Sequence, residues 1–373
     1  MRNKKILFIN NKLGGLIQFR LDVMKHLEGQ GYEVEAVVPL SEKGLVDTKG
    51  IRVEYLPFNR TTTNPLSDLL FFYRLIKIFK KERPQYVFLY TIKPNIYGSI
   101  AAKLCGIPST MMMAGLGYTF TNNKLASRIA RLLYRIALKF SDYLLLLNEE
   151  NVKTIMRLGM CKKEKIIHLK GGEGVNLEKY INYDNESGII KFLFVGRLLK
   201  EKGVFDFVEA AREVKKHYHD VEFQIAGRLD KDFPGSLSQK EMDELEKTDT
   251  INYLGHIDMV EKLKEPGMVI AIPSYYSEGL NRSLMEGCAA GKPIITTNQP
   301  GCRETVIDGK NGFLVPINAP HLLAEAMIRY ISLTPYEKRQ MSRESRLLAE
   351  SQFDVKEVLK VYDDIISDKQ ILV

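Results

Sequence analysis

Two periods of hydrophobic patterning take turns along the chain. Short runs rich in β-branched, leucine and aromatic residues predict strands: KKILFIN (4–10), YEVEAVVP (32–39), IRVEYLPF (51–58), QYVFLY (85–90), STMMMA (109–114) and DYLLLL (142–147). Between them, residues 16–28, 65–82, 95–104 and 123–140 place apolar side chains at helical spacing. Such alternation implies βαβ units and a parallel sheet covered on both faces. The stretch GGEGVNLEKYINYDNESGII (171–190) breaks the pattern with glycine, asparagine and acidic residues, and predicts a linker.

The alternation then restarts. KFLFVG (191–196), VEFQIAG (221–227), INYLG (251–255), MVIAIP (268–273) and PIITT (293–297) predict strands, with helices near 202–217, 238–247, 258–264 and 280–290. From about residue 318 the pattern is mostly helical. The fold class expected is α/β: two successive Rossmann-like, doubly wound domains, 1–175 and 176–354, facing a cleft. In such sheets ligands bind at the carboxyl ends of the strands, beside helix N-termini.

Composition narrows the class. The 373 residues are 45% hydrophobic and 27% charged, which suits a packed chain rather than a disordered one. No apolar run approaches the ~20 residues of a membrane-spanning helix. The nearest, 69–79, is interrupted by Arg74 and Lys77. The basic start is followed by only four apolar residues, 6–9, too short for a secretory leader. Cys105, Cys161, Cys288 and Cys302 show no CxxC spacing, so a metal cage or disulfide framework is not expected and a reducing compartment is.

The net charge of +8 is uneven. Residues 1–183 hold 29 Lys and Arg against 15 Asp and Glu, a net +14; the remainder holds 25 against 31, a net −6. A basic front half points to an acidic partner (phosphate, nucleic acid or anionic lipid) or to a surface kept basic for solubility.

Candidate chemistry begins in SYYSEGLNRSLMEGCAAG (274–291), where Glu278 and Glu286 stand eight positions apart. Asn281 or Ser283 can cap a helix running to about Ala290. Eight residues of helix separate two side chains by roughly 12 Å along the axis and about 80° around it. That is too wide for the carboxyl pair of a glycoside hydrolase, and awkward for a shared metal. It suits one elongated ligand gripped at both ends, with an anion at the helix N-terminus between the acids. A nucleotide diphosphate sugar has that layout. Spacing alone is equally met by two surface acids flanking a helix start. In FLFVGRLLKEKGVFDFVEAA (192–211), Arg197 and Lys202 occupy a strand-to-helix connection at the ligand edge. Two cations there would neutralise a diphosphate without a metal, or would simply be solvated loop charges.

Together GRLLKEKG, PSYYSEGLNRSLMEGCAAGKPII and NQPGCRETVIDGKNGFLVP resemble the carboxyl-terminal domain of retaining glycosyltransferases of family 4, whose E-x7-E signature stands here as Glu278 and Glu286. The resemblance spans essentially the whole chain. It implies the GT-B fold, with a final helix (355–373) packing back on the first domain. It implies that Arg197 and Lys202 hold the donor diphosphate, that Glu278 binds donor-sugar hydroxyls, and that Glu286 binds the ribose. Gly279, Leu280 and Asn281 would line the donor site through their backbone. Glu278, Arg197 and Lys202 are the candidate catalytic residues; no metal or cofactor is expected beyond a UDP-sugar co-substrate. Asn281 stands where many members carry proline. Where many carry a histidine at the end of a middle strand, this chain reads MMMAGLGYTF, with Ala114 before Gly115, so no catalytic histidine is assigned.

In the front domain, Gly14 and Gly15 permit close backbone approach to a ligand at the next helix N-terminus. In the family this loop lies near the donor diphosphate and the acceptor. Arg20 could meet an acceptor phosphate or be a surface arginine. Lys93 and Asn95 could line the acceptor side, or belong to a helix start set by Pro94. TIKPNIYGSIAAKLCGIP and MMMAGLGYTF are similar to a bacterial subgroup adding N-acetylhexosamine or hexose to polyprenyl-diphosphate-linked sugars in glycoprotein, capsule and O-antigen synthesis. KLASRIARLLYRIALKF (124–140) and LLFFYRLIKIFKKER (69–83) are basic and amphipathic. They either lie on anionic lipid or pack an apolar stripe on the sheet. The first expectation is therefore a glycosyltransferase peripheral to the inner face of a bacterial cytoplasmic membrane, with no nucleic-acid partner. A nucleotide-sugar 2-epimerase on the same fold and a non-enzymatic binder of anionic lipid or nucleic acid are the alternatives.

Overall fold

The computed structural model describes residues 4–59, 64–116, 120, 125–181, 188–230, 235–276 and 279–367. The chain divides into two compact units, Met1–Glu173 with Val355–Val373, and Gly174–Asp354.

The first unit holds a seven-stranded parallel sheet: β1 (Lys5–Ile9), β2 (Glu33–Pro39), β3 (Arg52–Leu56), β4 (Tyr86–Tyr90), β5 (Ser109–Met113), β6 (Tyr143–Leu146) and β7 (Ile166–His168). Its order is β3-β2-β1-β4-β5-β6-β7, so the winding direction reverses between β1 and β4. In β1, Ile6 and Phe8 enter the core on one face and Leu7 and Ile9 the core on the other. This is why the strands read as continuous apolar runs. Helices Leu13–Gly29 and Val355–Ile366 cover the first face. Helices Pro65–Glu82, Ser99–Leu104 and Leu125–Phe140 cover the second. The returning helix is fixed by Tyr362, whose hydroxyl meets that of Tyr90 at 2.8 Å, and by Asp363, 3.0 Å from His26.

The second unit repeats the design with β8 (Ile190–Val195), β9 (Val221–Ala226), β10 (Asn252–Tyr253), β11 (Met268–Ile272), β12 (Ile294–Thr297) and β13 (Gly312–Val315). All pairings are parallel, in the order β10-β9-β8-β11-β12-β13, with the reversal between β8 and β11.

Some elements differ from expectation for reasons that are not local. The first helix starts at Leu13, three residues early, because the Leu13 N–H donates to the Glu42 carboxylate at 3.0 Å. Residues 171–190 are not merely a linker. Val175 donates to the Phe353 carbonyl at 2.7 Å, and Leu177 and Tyr180 are buried in the second core. The helix Glu149–Arg157 and strands β7 and β13 were not anticipated. Their three to nine residues are too short for a period to stand out, although Asn148 caps the helix by accepting from Asn151 at 2.8 Å. The expected helix at 95–104 begins as a π turn, Pro94–Gly98, before becoming α-helical.

Candidate functional site

The switch point of the second sheet brings two distant stretches together. β8 ends at Val195 and leads into Gly196-Arg197; β11 ends at Ile272 and leads into Pro273-Ser274. Because β8 and β11 are neighbours, these two connections leave the same sheet edge side by side. They are also stitched together. The Tyr275 N–H donates to the Glu201 carbonyl at 2.9 Å, and Ser274 Oγ reaches the same carbonyl at 3.4 Å. Gly203 has φ +81°, and any Cβ there would overlap the carbonyl oxygen of Pro273. Glycine is required on both counts.

This pinning presents two cations to one aromatic ring. The Arg197 guanidinium lies 5.9 Å, and the Lys202 ammonium 5.8 Å, from the centroid of Tyr276. Arg197 is exposed, whereas Lys202 is largely buried, so the positive charge of Lys202 is held at a fixed depth. Lys200, between them in sequence, turns away to Glu241 at 2.8 Å. That contact, with hydrogen bonds from Ser238, holds the Glu241 carboxyl down at about 2.

From β11 the chain passes into helix Arg282–Ala289. Asn281 is its N-cap, its side chain accepting from Leu284 at 3.4 Å, which settles the choice between Asn281 and Ser283. The Asn281 N–H donates to the Gly301 carbonyl at 2.7 Å. A proline could not make that bond, so the turn is organised here by a hydrogen bond rather than by a ring. Gly279 and Leu280 are buried just ahead of the cap. Glu278 lies outside the described residues.

Glu286 lies one turn into the helix and is buried. Arg282 Nε donates to its Oε1 at 2.9 Å, and Arg282 Nη1 donates to the Gly174 carbonyl at 2.5 Å. Tyr180 also hydrogen-bonds Glu286; burial, then the Glu286 charge, push the Tyr180 phenol well above its usual range. Glu286 is thus a carboxylate aimed by two neighbours. Arg282 sits at i−4, a spacing readable in the sequence; Tyr180, 106 positions away, is not. Tyr276 was the other omission, although it adjoins the signature.

The remaining candidates belong to the first unit, and four of them flank its own switch point. Gly14 and Gly15 are in the first turn of the helix after β1, and Lys93 and Asn95 follow β4, the neighbour of β1. Lys93 donates to Asp68 at 2.7 Å and to the Asn59 carbonyl at 2.8 Å. Asp68 also accepts from Tyr97 at 3.0 Å; burial and then that bond push the Tyr97 phenol up to about 12. Asn95 is fully buried and its Nδ2 donates to the Met112 carbonyl at 2.8 Å. Arg20 is not at the surface. It is buried, ion-paired with Glu173, bonded to the Gly15 carbonyl at 3.2 Å, and stacked 4.1 Å over Tyr90. Among the described residues no cluster of three or more His, Cys, Asp or Glu is arranged to hold a metal ion. No described helix is long and apolar enough to cross a membrane.

Known proteins resemble this chain in sequence and in fold. Residues 182–346 match the family Glycosyl transferases group 1, and residues 5–148 match Glycosyl transferase 4-like. The chain is 27% identical over 331 residues to the N,N'-diacetylbacillosaminyl-diphospho-undecaprenol alpha-1,3-N-acetylgalactosaminyltransferase of Campylobacter jejuni, covering 83% of this chain and 84% of that one. It is 24% identical to the Escherichia coli UDP-Gal:alpha-D-GlcNAc-diphosphoundecaprenol alpha-1,3-galactosyltransferase, covering 75% and 74% of the two chains. Among solved structures, an Anabaena protein crystallised with UDP and glucose superposes with a TM-score of 0.78 at 18% identity, over 98% of this chain and 99% of that one. With a 4-like domain in front and a group 1 domain behind, on two parallel doubly wound sheets, the chain belongs to the glycosyltransferases of the GT-B fold.

Proposed function

We propose that this glycosyltransferase moves a sugar from a UDP-sugar to an undecaprenyl-diphosphate-linked saccharide in bacterial surface-glycan synthesis, with retention of configuration. The observation that carries the donor side is the convergence of Arg197 and Lys202 on Tyr276 at the second switch point. A diphosphate seated there meets two cations and the N-terminus of the helix capped by Asn281. In this reading Glu286, aimed by Arg282 and Tyr180, accepts the ribose hydroxyls, and Glu278 accepts hydroxyls of the donor sugar. Gly279 and Leu280 contribute backbone. No metal is required, because fixed cations take up the charge as the sugar–phosphate bond breaks. The acceptor hydroxyl forms the new bond on the same face, and its proton passes to the departing phosphate oxygen.

The acceptor assignment rests on the Campylobacter and Escherichia coli relatives, whose names both specify a diphospho-undecaprenol substrate. UDP as the carrier rests on the Escherichia coli donor and the Anabaena complex. The first unit then receives the acceptor at its own switch point, with Lys93 and Asn95 beside it, while Gly14 and Gly15 give the donor diphosphate close access to the backbone and Arg20 positions Gly15. The enzyme works at the inner face of the cytoplasmic membrane, where such acceptors are held.

The test is incubation of the full chain with a panel of UDP-sugars and a short-chain polyprenyl-diphosphate saccharide, with product stereochemistry read by NMR. Transfer with retention that fails in Lys202→Ala supports the reading. Conversion of the nucleotide sugar without acceptor would replace it with an epimerase; inverted product would remove the mechanism while leaving the donor site.

A further inference from the structure

We infer that the outward face of helix Leu125–Phe140, together with the first half of helix Pro65–Glu82, is a docking surface that seats the first unit on an anionic lipid bilayer. The inference deepens the membrane part of the proposed function and rests on that reading only for which membrane is met.

At about 100° per residue, Leu125, Ile129, Leu132, Ile136 and Phe140 fall within roughly 80° of arc. The core-facing side of the same helix is Tyr134, Ala137 and Leu138, which lie roughly opposite. The large apolar stripe therefore points away from the protein: Leu125 is 71% exposed, Leu132 57% and Ile129 50%. Leu133, at the edge of that arc, packs inward. The helix turns toward solvent the side chains that an ordinary surface helix hides.

The adjoining arc carries Arg128, Arg131, Arg135 and Lys139, and the helix has no acidic residue. Helix Pro65–Glu82 does the same lengthwise. Leu66 (72% exposed), Leu69 (62%), Leu70 and Tyr73 precede exposed Lys77, Lys80 and Lys81. Both helices pack against Ser99–Leu104, which lies between them and ends in exposed Leu104. All three cover one face of one sheet, so the apolar positions belong to one side of the unit.

The chemistry selects the occupant. Nucleic acid would use the bases and leave the leucines wet. A second copy meeting this face symmetrically would set four bases against four bases. A bilayer with anionic headgroups takes both parts: the apolar stripe enters the headgroup–acyl boundary, and the bases stay among the phosphates. Docking then has a salt-sensitive part and a salt-resistant part.

The experiment is flotation of the full chain with phosphatidylcholine vesicles containing or lacking phosphatidylglycerol, alongside transfer to a short-chain acceptor in solution. Wild-type protein is expected to float with the anionic vesicles. Arg128→Glu with Lys139→Glu should weaken binding severalfold per residue at low salt, and less at high salt. Ile129→Ser with Leu132→Ser should weaken it about tenfold or more at either salt, while melting temperature and short-chain transfer stay unchanged. Flotation unaffected by the apolar pair, or no flotation of the wild type, overturns the proposal. So does a dimer that the apolar pair converts to monomer. Because flotation is read without turnover, absence of transfer alone would count against the proposed reaction and not against the docking surface.

Discussion

The two sheets reverse direction at equivalent places, yet the cations around the two reversals are used differently. At the first, Lys93 is neutralised by Asp68 and Arg20 by Glu173, with side chains only 13% and 7% exposed. At the second, Arg197 and Lys202 stand about a single ring, one of them open to solvent. A shared topology therefore supplies a place for chemistry, and what differs is the setting of the cations: two separate buried ion pairs at the first reversal, two cations brought to one ring at the second. In the function proposed above, the first reversal receives the acceptor and the second receives the anion.

The sharpest way to break this contrast is Arg20→Ala. Removing one partner of a buried pair leaves the other charge uncompensated, and a loss of about 3–5 kcal/mol is expected in urea unfolding. Unchanged stability with abolished transfer would make Arg20 a substrate contact and erase the distinction. Lys202→Ala should do the reverse: kcat/KM falls by about 10²–10³, the scale for losing a preorganised charge donor, with the melting temperature nearly unchanged. Gly203→Ala sharpens the same point through the backbone. Its positive φ and the Pro273 carbonyl should cost about 1–3 kcal/mol in thermal unfolding and carry Lys202 out of place.

A smaller effect contrasts two buried lysines. Lys5 lies 3.0, 3.1 and 2.5 Å from Glu33, Glu35 and Glu82; burial opposes its charge, but the three carboxylates prevail and raise its pKa above the usual lysine range. Lys292 donates to the Glu265 carbonyl at 3.1 Å, and burial lowers its pKa from 10.5 to about 8. Between those two pH values the unfolded chain binds the Lys292 proton and the folded chain has released it. Folding stability should thus gain from this group as pH rises from about 8 to 10.5. Glu82, held at about 2 against an ordinary 4.5 chiefly by Lys5, gives stability that is present above 4.5 and fades as pH falls through 2. Urea midpoints across both windows check this; Lys292→Met should flatten the alkaline rise alone.

The parallel strands were legible because burial on both faces leaves continuous apolar runs, as in β1 and β11. Arg197 and Lys202 were legible because a strand-to-helix connection fixes its own place at a sheet edge. The partners of those elements were not. Glu42 capping Leu13, Tyr180 on Glu286 and Glu173 on Arg20 each join residues far apart in sequence. Helix Leu125–Phe140 shows a further limit. Periodicity marked it as basic and amphipathic, but could not say whether its longest apolar stripe meets the sheet, because the side that is buried, Tyr134, Ala137 and Leu138, is itself apolar.

The helix Val355–Ile366 completes a core that begins with Ile6 and Phe8. On the ribosome, the first unit therefore emerges lacking Tyr362 and Ile365, while the second, an uninterrupted stretch from Gly174 to Asp354, is whole sooner. The later-encoded unit can reach its native state first, and the earlier one must wait, partly uncovered, until Val355–Ile366 has been made.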